Sequence, residues 1–232
     1  MRALVIAFGV ALAGWGCGMG GGHCPSGAEG RGSTPPFGRA YWCETSEGVL
    51  HGRQMVWYRH GHLLASAEFL QGELDGRLKL QSRRGWRHHE LDFQKGELHG
   101  RVARWLPGNH KVFEGHYEAG LREGEWTTWY PDGGLRSHKN YRGDLLHGEL
   151  RHWSESGTIR VEGQYAHGRP VGQWVWRDEA GHVQQRITYS TSAVVERYTD
   201  GAVVERQRLS DPEAIHRAEQ APQDASVARP ET

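Results

Sequence analysis

Residues 120 to 141 read GLREGEWTTWYPDGGLRSHKNY: a Gly-x3-Gly pair, a Trp-rich run, a Pro-Asp-Gly turn, and a second run ending in tyrosine. The second glycine, Gly124, recurs as Gly52, Gly76, Gly100, Gly148 and Gly172, always 24 residues on. The turn position Gly133 recurs at Gly61, Gly85, Asn109, Gly157 and Gly181, and the aromatic Tyr141 at Phe69, Phe93, Tyr117, Tyr165 and Tyr189. Three independent columns that hold one period define a repeat protein.

Each unit reads as a β-hairpin. Pro131-Asp132-Gly133 presets a type I turn with glycine in the left-handed position, the chemistry of a three-residue hairpin loop with a bulge. After the turn, apolar residues fall on alternate positions (Leu135 and Tyr141; Ile159, Val161 and Tyr165; Val183, Ile187 and Tyr189). Charged residues (Arg136, Arg160, Glu162, Arg186) fall between them, so this strand has one buried and one wet face. The bulge pairs Trp129 with Leu135, and on that pairing Trp57, Trp105, Trp129 and Trp153 are expected on the apolar face. The column Leu78, Val102, Trp126, Leu150 and Trp174 has the opposite parity, and its face stays open.

Composition sets the bounds. The 28 basic and 28 acidic residues cancel, which leaves no electrostatic footprint for nucleic acid. Apolar content of 37% is low for a thick globular core, while 10% aromatics and 33 glycines suit a thin, turn-dense β array. Residues 1–16 read as a signal peptide, with Arg2 followed by the apolar run Ala3 to Ala13, too short to span a membrane. Two processing sites compete: Ala11-Leu12-Ala13 before Gly14, and Gly14-Trp15-Gly16-Cys17, which resembles a lipobox with Gly14 and Trp15 at atypical positions. An exported chain with three cysteines has an odd count; lipidation of Cys17 leaves Cys24 and Cys43 to form a disulfide. Residues 17–38 are expected to be a Gly/Ser/Pro-rich flexible tether, 39–209 the repeat domain, and 210–232 a disordered tail. After Tyr189 the glycine pair is missing, and Asp200-Gly201 closes a shortened terminal hairpin, the atypical end unit of a repeat array.

Fifteen histidines invite a metal reading. His51, His99 and His147 share one repeat offset, with Asp75 and Glu123 there in other units, but four strand spacings of about 4.8 Å put successive histidines roughly 19 Å apart. No single ion joins them, so they read as polar turn residues, and neither a metal nor another cofactor is expected. Ser154-Glu155-Ser156-Gly157 occupies a turn, not a nucleophile elbow. No glycine-rich loop precedes a helix, so no phosphate cradle is indicated. No catalytic residue is assigned.

GLREGEWTTWYPDGGLRSHKNYRGDLLHGEL and AHGRPVGQWVWRDEAGHV resemble the bacterial variant of the MORN repeat, whose pattern is Gly-x3-Gly-x-Trp-x2-Trp/Tyr-Tyr-x-Asp/Asn-Gly-x-Leu followed by an aromatic. The likeness covers about Gly48 to Tyr189 and departs at Gln81, at Arg177 and at Gly143 to Gly148. It implies an all-β, elongated, single-layer antiparallel hairpin array without catalytic residues, used as an interaction or scaffold module. The expected function is a monomeric envelope protein, lipid-anchored or else secreted, that binds another protein or envelope macromolecule through Trp126, Trp129, Tyr141, Trp153 and Trp174. The alternatives are an antitoxin-like neutraliser of one partner and, third, a cell-wall enzyme.

Overall fold

The computed structural model describes residues 23–190 and 192–210. The expected signal peptide, the lipidation site Cys17 and nearly all of the C-terminal tail lie outside them. Among the described residues the structure is all-β, with seventeen strands that form an array of antiparallel hairpins. Two compact units divide the described residues, one up to residue 111 with 116–121, the other 112–115 with residues from 122 on. The first holds β1 (Ala28–Ser33), β2 (Ala40–Thr45), β3 (Leu50–Trp57), β4 (Leu63–Leu70), β5 (Glu73–Leu74), β6 (Gly76–Gln81), β7 (Arg87–Gln94) and β8 (Glu97–Leu106); β9 (His110–Glu118) is shared by the two. The second holds β10 (Leu121–Trp129, from Arg122 on), β11 (Leu135–Arg142), β12 (Leu145–Trp153), β13 (Ile159–Ala166), β14 (Arg169–Arg177), β15 (Val183–Tyr189), β16 (Ala193–Thr199) and β17 (Ala202–Leu209).

The loop that closes each hairpin has the expected geometry. Gly133 N–H donates to Tyr130 O and Tyr130 N–H to Gly134 O, at 2.9 and 2.8 Å, with Gly133 at φ 95°. The same closure recurs at Gly61, Gly85, Gly157 and Gly181, so Arg84-Gly85 makes the turn without Pro-Asp. The turn between hairpins is of another kind. Gln71-Gly72, Lys95-Gly96, Ala119-Gly120 and His167-Gly168 each place two consecutive residues at positive φ, the signature of a type I′ turn. Gly143-Asp144 reverses the residue order at the same place (φ 54° and 68°), which accounts for the irregular glycine spacing there.

Register explains the remaining columns. The second glycine of each unit lies opposite the repeat aromatic: Gly52 opposite Phe69, Gly76 opposite Phe93, Gly124 opposite Tyr141, Gly148 opposite Tyr165, and Gly172 opposite Tyr189. All five glycines have positive φ, where a side chain is strained.

Two sequence expectations are corrected here. The column left open, Trp126, Leu150 and Trp174, lies on the aromatic face, because Trp126 pairs with Lys139 and Trp174 with Ile187, two residues along from Tyr141 and Tyr189. In the second unit Trp129 and Trp153 do not join that face, while Trp105 of the same column is buried, 2% exposed. Strand alternation puts Trp129 with Thr127 and Trp153 with Arg151, on the other side from Trp126 and Leu150. The pairing with Leu135 was read correctly, but the bulge leaves Arg136 unpaired and so changes the parity; Leu135 turns outward and is 44% exposed. The second correction concerns the tether. Residues 28–33 form β1, paired along its length with β2. Its glycines serve close packing: a Cβ on Gly30 would lie 2.6 Å from the Tyr41 hydroxyl, and one on Gly32 would lie 2.2 Å from Ala40 O and 2.8 Å from the Trp42 ring. Cys24 and Cys43 are disulfide-bonded at 2.05 Å, which ties the start of this segment to β2.

In the second unit the core is the aromatic face itself: Leu150, Val161, Trp174, Ile187, Ala193, Val195 and Leu209 are buried, with Tyr165, Trp176 and Tyr189 packed against them.

Candidate functional site

On the aromatic face the side chains are engaged with one another. Trp174 is 5% exposed, 4.9 Å from the Tyr165 ring and 5.8 Å from that of Trp176, and its indole N–H donates to Gln164 O at 3.1 Å. It lies flat over Gly163, where a Cβ would come within 2.1 Å of the ring. Trp126 covers Gly115 in the same way, with a clearance of 2.3 Å, and contacts Phe113 and Tyr141. Tyr141 is buried beneath the Arg122 guanidinium, 4.2 Å from the ring centre. Of the five residues expected to form one partner site, Tyr141 and Trp174 are buried on the aromatic face and Trp126 is half-buried there. Trp129 and Trp153 lie half-buried on the opposite face, so the five do not make a single surface. The glycine-under-tryptophan pairs escaped the sequence reading; their signal is a Gly 11 residues before a Trp, at 115/126 and 163/174.

The His/Asp/Glu column also has a structural role that the sequence reading missed. The side chains of His51, Asp75, His99, Glu123 and His147 each accept a hydrogen bond from the backbone N–H twenty residues later, at 2.8 to 3.5 Å. That N–H belongs to the first residue of the type I′ turn. The second N–H of the same turn is taken by a carbonyl 22 residues back, as in Gly72 to Leu50 and Gly168 to Leu146, both 2.8 Å. Imidazole and carboxylate interchange because the position needs only an acceptor. Among the described residues no group of three or more His, Cys, Asp or Glu is placed to hold a metal ion.

The polar face of the second unit carries a lateral row of directly paired positions, one per strand: Thr127, His138, Arg151, Glu162, Val175, Arg186, Glu196 and Arg206. Opposite charges alternate along it. Arg177 donates to Glu162 at 2.5 Å, with Arg151 at 3.9 Å, and Arg206 donates to Glu196 at 2.5 and 2.8 Å. Hydrogen bonds from Arg206 and Tyr198 hold the Glu196 carboxyl below the usual range. Beside this row stand the exposed side chains of Glu125, Glu149, Gln164, Gln173 and Thr188. Trp129 and Trp153 mark its end at the hairpin loops, where the Tyr130 hydroxyl donates to Trp153 O at 2.7 Å. The arrangement is an ordered, wet, hydrogen-bonding surface with aromatic groups at one end, suited to contact with a macromolecule.

Comparison with curated proteins finds no match to the chain. Residues 122–142 and 146–167 each match the model of the MORN repeat variant, a non-catalytic repeat family whose members typically bind proteins or membranes. Over these two adjacent units, from β10 to β13, the chain is similar to MORN repeats of the variant class.

Proposed function

We propose that the chain is a non-enzymatic binding scaffold of the bacterial envelope, and that its polar face over residues 122–167 receives another protein or envelope macromolecule. The observation that carries this reading is the coincidence of the MORN-variant match with the segment whose polar face exposes Glu125, Glu149 and Gln164 while the aromatic face is filled by its own side chains. Trp129 and Trp153 are the aromatic anchors of that surface. The Cys24–Cys43 bond supports export, since disulfides persist in oxidising compartments. Cys17 is the proposed lipid anchor; incorporation of labelled palmitate that survives Cys17→Ser would refute it.

The surface is tested by placing a photo-crosslinking residue at Gln164 and, separately, at the exposed turn residue Glu47, in the full chain expressed in its envelope. A discrete adduct at Gln164, absent at Glu47 and lost on Arg151→Glu, is expected. Equal adducts at both positions, or none at Gln164, would count against the polar face.

A further inference from the structure

The first unit holds an open cleft of about 810 Å³ between the β1–β2 loop and the β3–β4 loop, lined by Pro35, Pro36, Phe37, Arg39, Tyr58, Arg59 and His60 among others. It is far more exposed in one respect than any other part of the described chain: Phe37 is 92% exposed, the highest value among the large hydrophobic residues. That exposure does not come from a loosely held loop. Phe37 N–H and Gly38 N–H both donate to Thr34 O, at 3.1 and 3.0 Å, and two prolines precede the ring. The opposite wall is fixed as well. The Tyr58 hydroxyl donates to Gln81 O at 3.1 Å, His60 Nε2 lies 2.6 Å from Arg83 O, and the Tyr58 and His60 rings stack at 5.5 Å.

The charged side chains that line the cleft are all basic. Several arginines elsewhere are matched to carboxylates: Arg31 with Glu44, Arg53 with Glu68, Arg77 with Asp92, Arg122 with Asp144, Arg177 with Glu162, Arg206 with Glu196. Arg39 and Arg59 are both exposed and have no ion-pair partner among the described residues. A fixed apolar ridge flanked by two uncompensated guanidinium groups is complementary to a chain that carries carboxylates beside an apolar side chain. Concavity and the Pro/aromatic walls favour an extended peptide over a flat lipid surface, and walls already in place spare the ordering that binding otherwise requires.

We infer that this cleft is a docking site for an acidic peptide segment of a partner protein, with Phe37 and Tyr58 packing on its apolar anchor and Arg39 and Arg59 pairing with its carboxylates. The site is separate from the polar face over residues 122–167, and either can fail without the other.

The test uses the full oxidised chain and a fluorescein-labelled decapeptide with a Glu-Glu-Leu-Phe-Glu centre, read by anisotropy. Binding should weaken roughly tenfold or more in Arg39→Gln/Arg59→Gln, as expected for loss of hydrogen bonds to charged groups, and also in Phe37→Ala, whose ring touches little of the fold. The melting temperature of both variants should match that of the unaltered chain. A peptide with glutamine in place of glutamate should bind at least tenfold more weakly. The inference is overturned if the acidic peptide does not bind, if the double variant binds it equally well, or if the Gln peptide binds as tightly. It is also overturned if phosphatidylglycerol vesicles compete the peptide off and bind through the same two arginines, which would make the cleft a membrane contact.

Discussion

Gly163→Ala should destabilise the second unit although alanine is sterically allowed by its backbone. Gly163 is not at positive φ, so strain in the main chain does not enter. The added Cβ would stand 2.1 Å from Cδ2 and 2.3 Å from Cε2 of Trp174. Reaching even a tight 3.4 Å contact requires the ring to move by about 1.3 Å (3.4 − 2.1). Trp174 is 5% exposed, packed between Tyr165 and Trp176, and bonded through its indole N–H to Gln164 O, so a shift of that size disturbs three interactions. Overpacking costs about 1–3 kcal/mol and a lost hydrogen bond about 1 kcal/mol. The smaller conformational freedom of alanine in the unfolded chain returns about 0.4–1 kcal/mol. The expected net loss is roughly 1–3 kcal/mol, measured as a lower urea midpoint with an unchanged slope. The contact itself is isolated by a cycle with Trp174→Leu, in which Gly163→Ala should cost close to nothing. A Gly163→Ala protein as stable as the starting chain, or a loss equally large with Leu at 174, would show that the ring does not depend on the missing Cβ.

Glu123→Ala should lower stability by about 1 kcal/mol in urea melts, by leaving Gly143 N–H without its 2.8 Å acceptor, whereas Glu123→Gln, which keeps an acceptor oxygen, should stay close to the starting chain. His152 is held down to about 4, first by burial and then by Lys139 and Arg136. Because its folded value lies below the unfolded value of about 6.5, the unfolded chain binds the extra proton as pH falls. Its contribution is therefore fully present above pH 6.5 and is lost between about 6.5 and 4, amounting to roughly 3 kcal/mol. A His152→Gln protein whose stability falls as steeply over that window as the unaltered chain's would refute the assignment.

The period, the hairpin loops and the Trp129–Leu135 pairing were legible in the sequence because turn chemistry is local: Pro131-Asp132-Gly133 states its own φ preferences. What failed was the step from pairing to facing. A bulge adds one residue to one strand, and since side chains alternate with period two, a single added residue sends everything beyond it to the other side. Leu135 carried the apolar pattern across that point, and Trp129 was placed by following it. The register also identifies a partner for the column that parity left open: Gly163, without a Cβ, is the reason Trp174 fits. Size exchange between adjacent strands is a property of pairs, and no single column displays it. The reading of residues 28–33 as part of a tether failed for a related reason, since Gly30 and Gly32 look like flexibility until the rings of Tyr41 and Trp42 are seen against them.

The acceptor column shows how the repeat tolerates change without losing its geometry. Each type I′ turn has two N–H groups to satisfy, one met by a carbonyl that every residue possesses and one by a side chain that only has to accept. His, Asp and Glu all do so, which is why the column looked like filler when judged by residue identity. At Gly143-Asp144 the turn glycine moves by one place, yet both N–H groups keep their acceptors, Glu123 Oε2 and Arg122 O, and Asp144 in return accepts from Arg122 N–H at 2.9 Å. Backbone demands are thus met at the turns and beneath the aromatic rings. The polar face carries few of them, so Glu125, Glu149 and Gln164 can be replaced at little cost to the fold. A surface free to vary on a frame that is not is the condition under which one repeat serves different partners, and it is on that face that substitutions should change binding while leaving stability within about 0.5 kcal/mol.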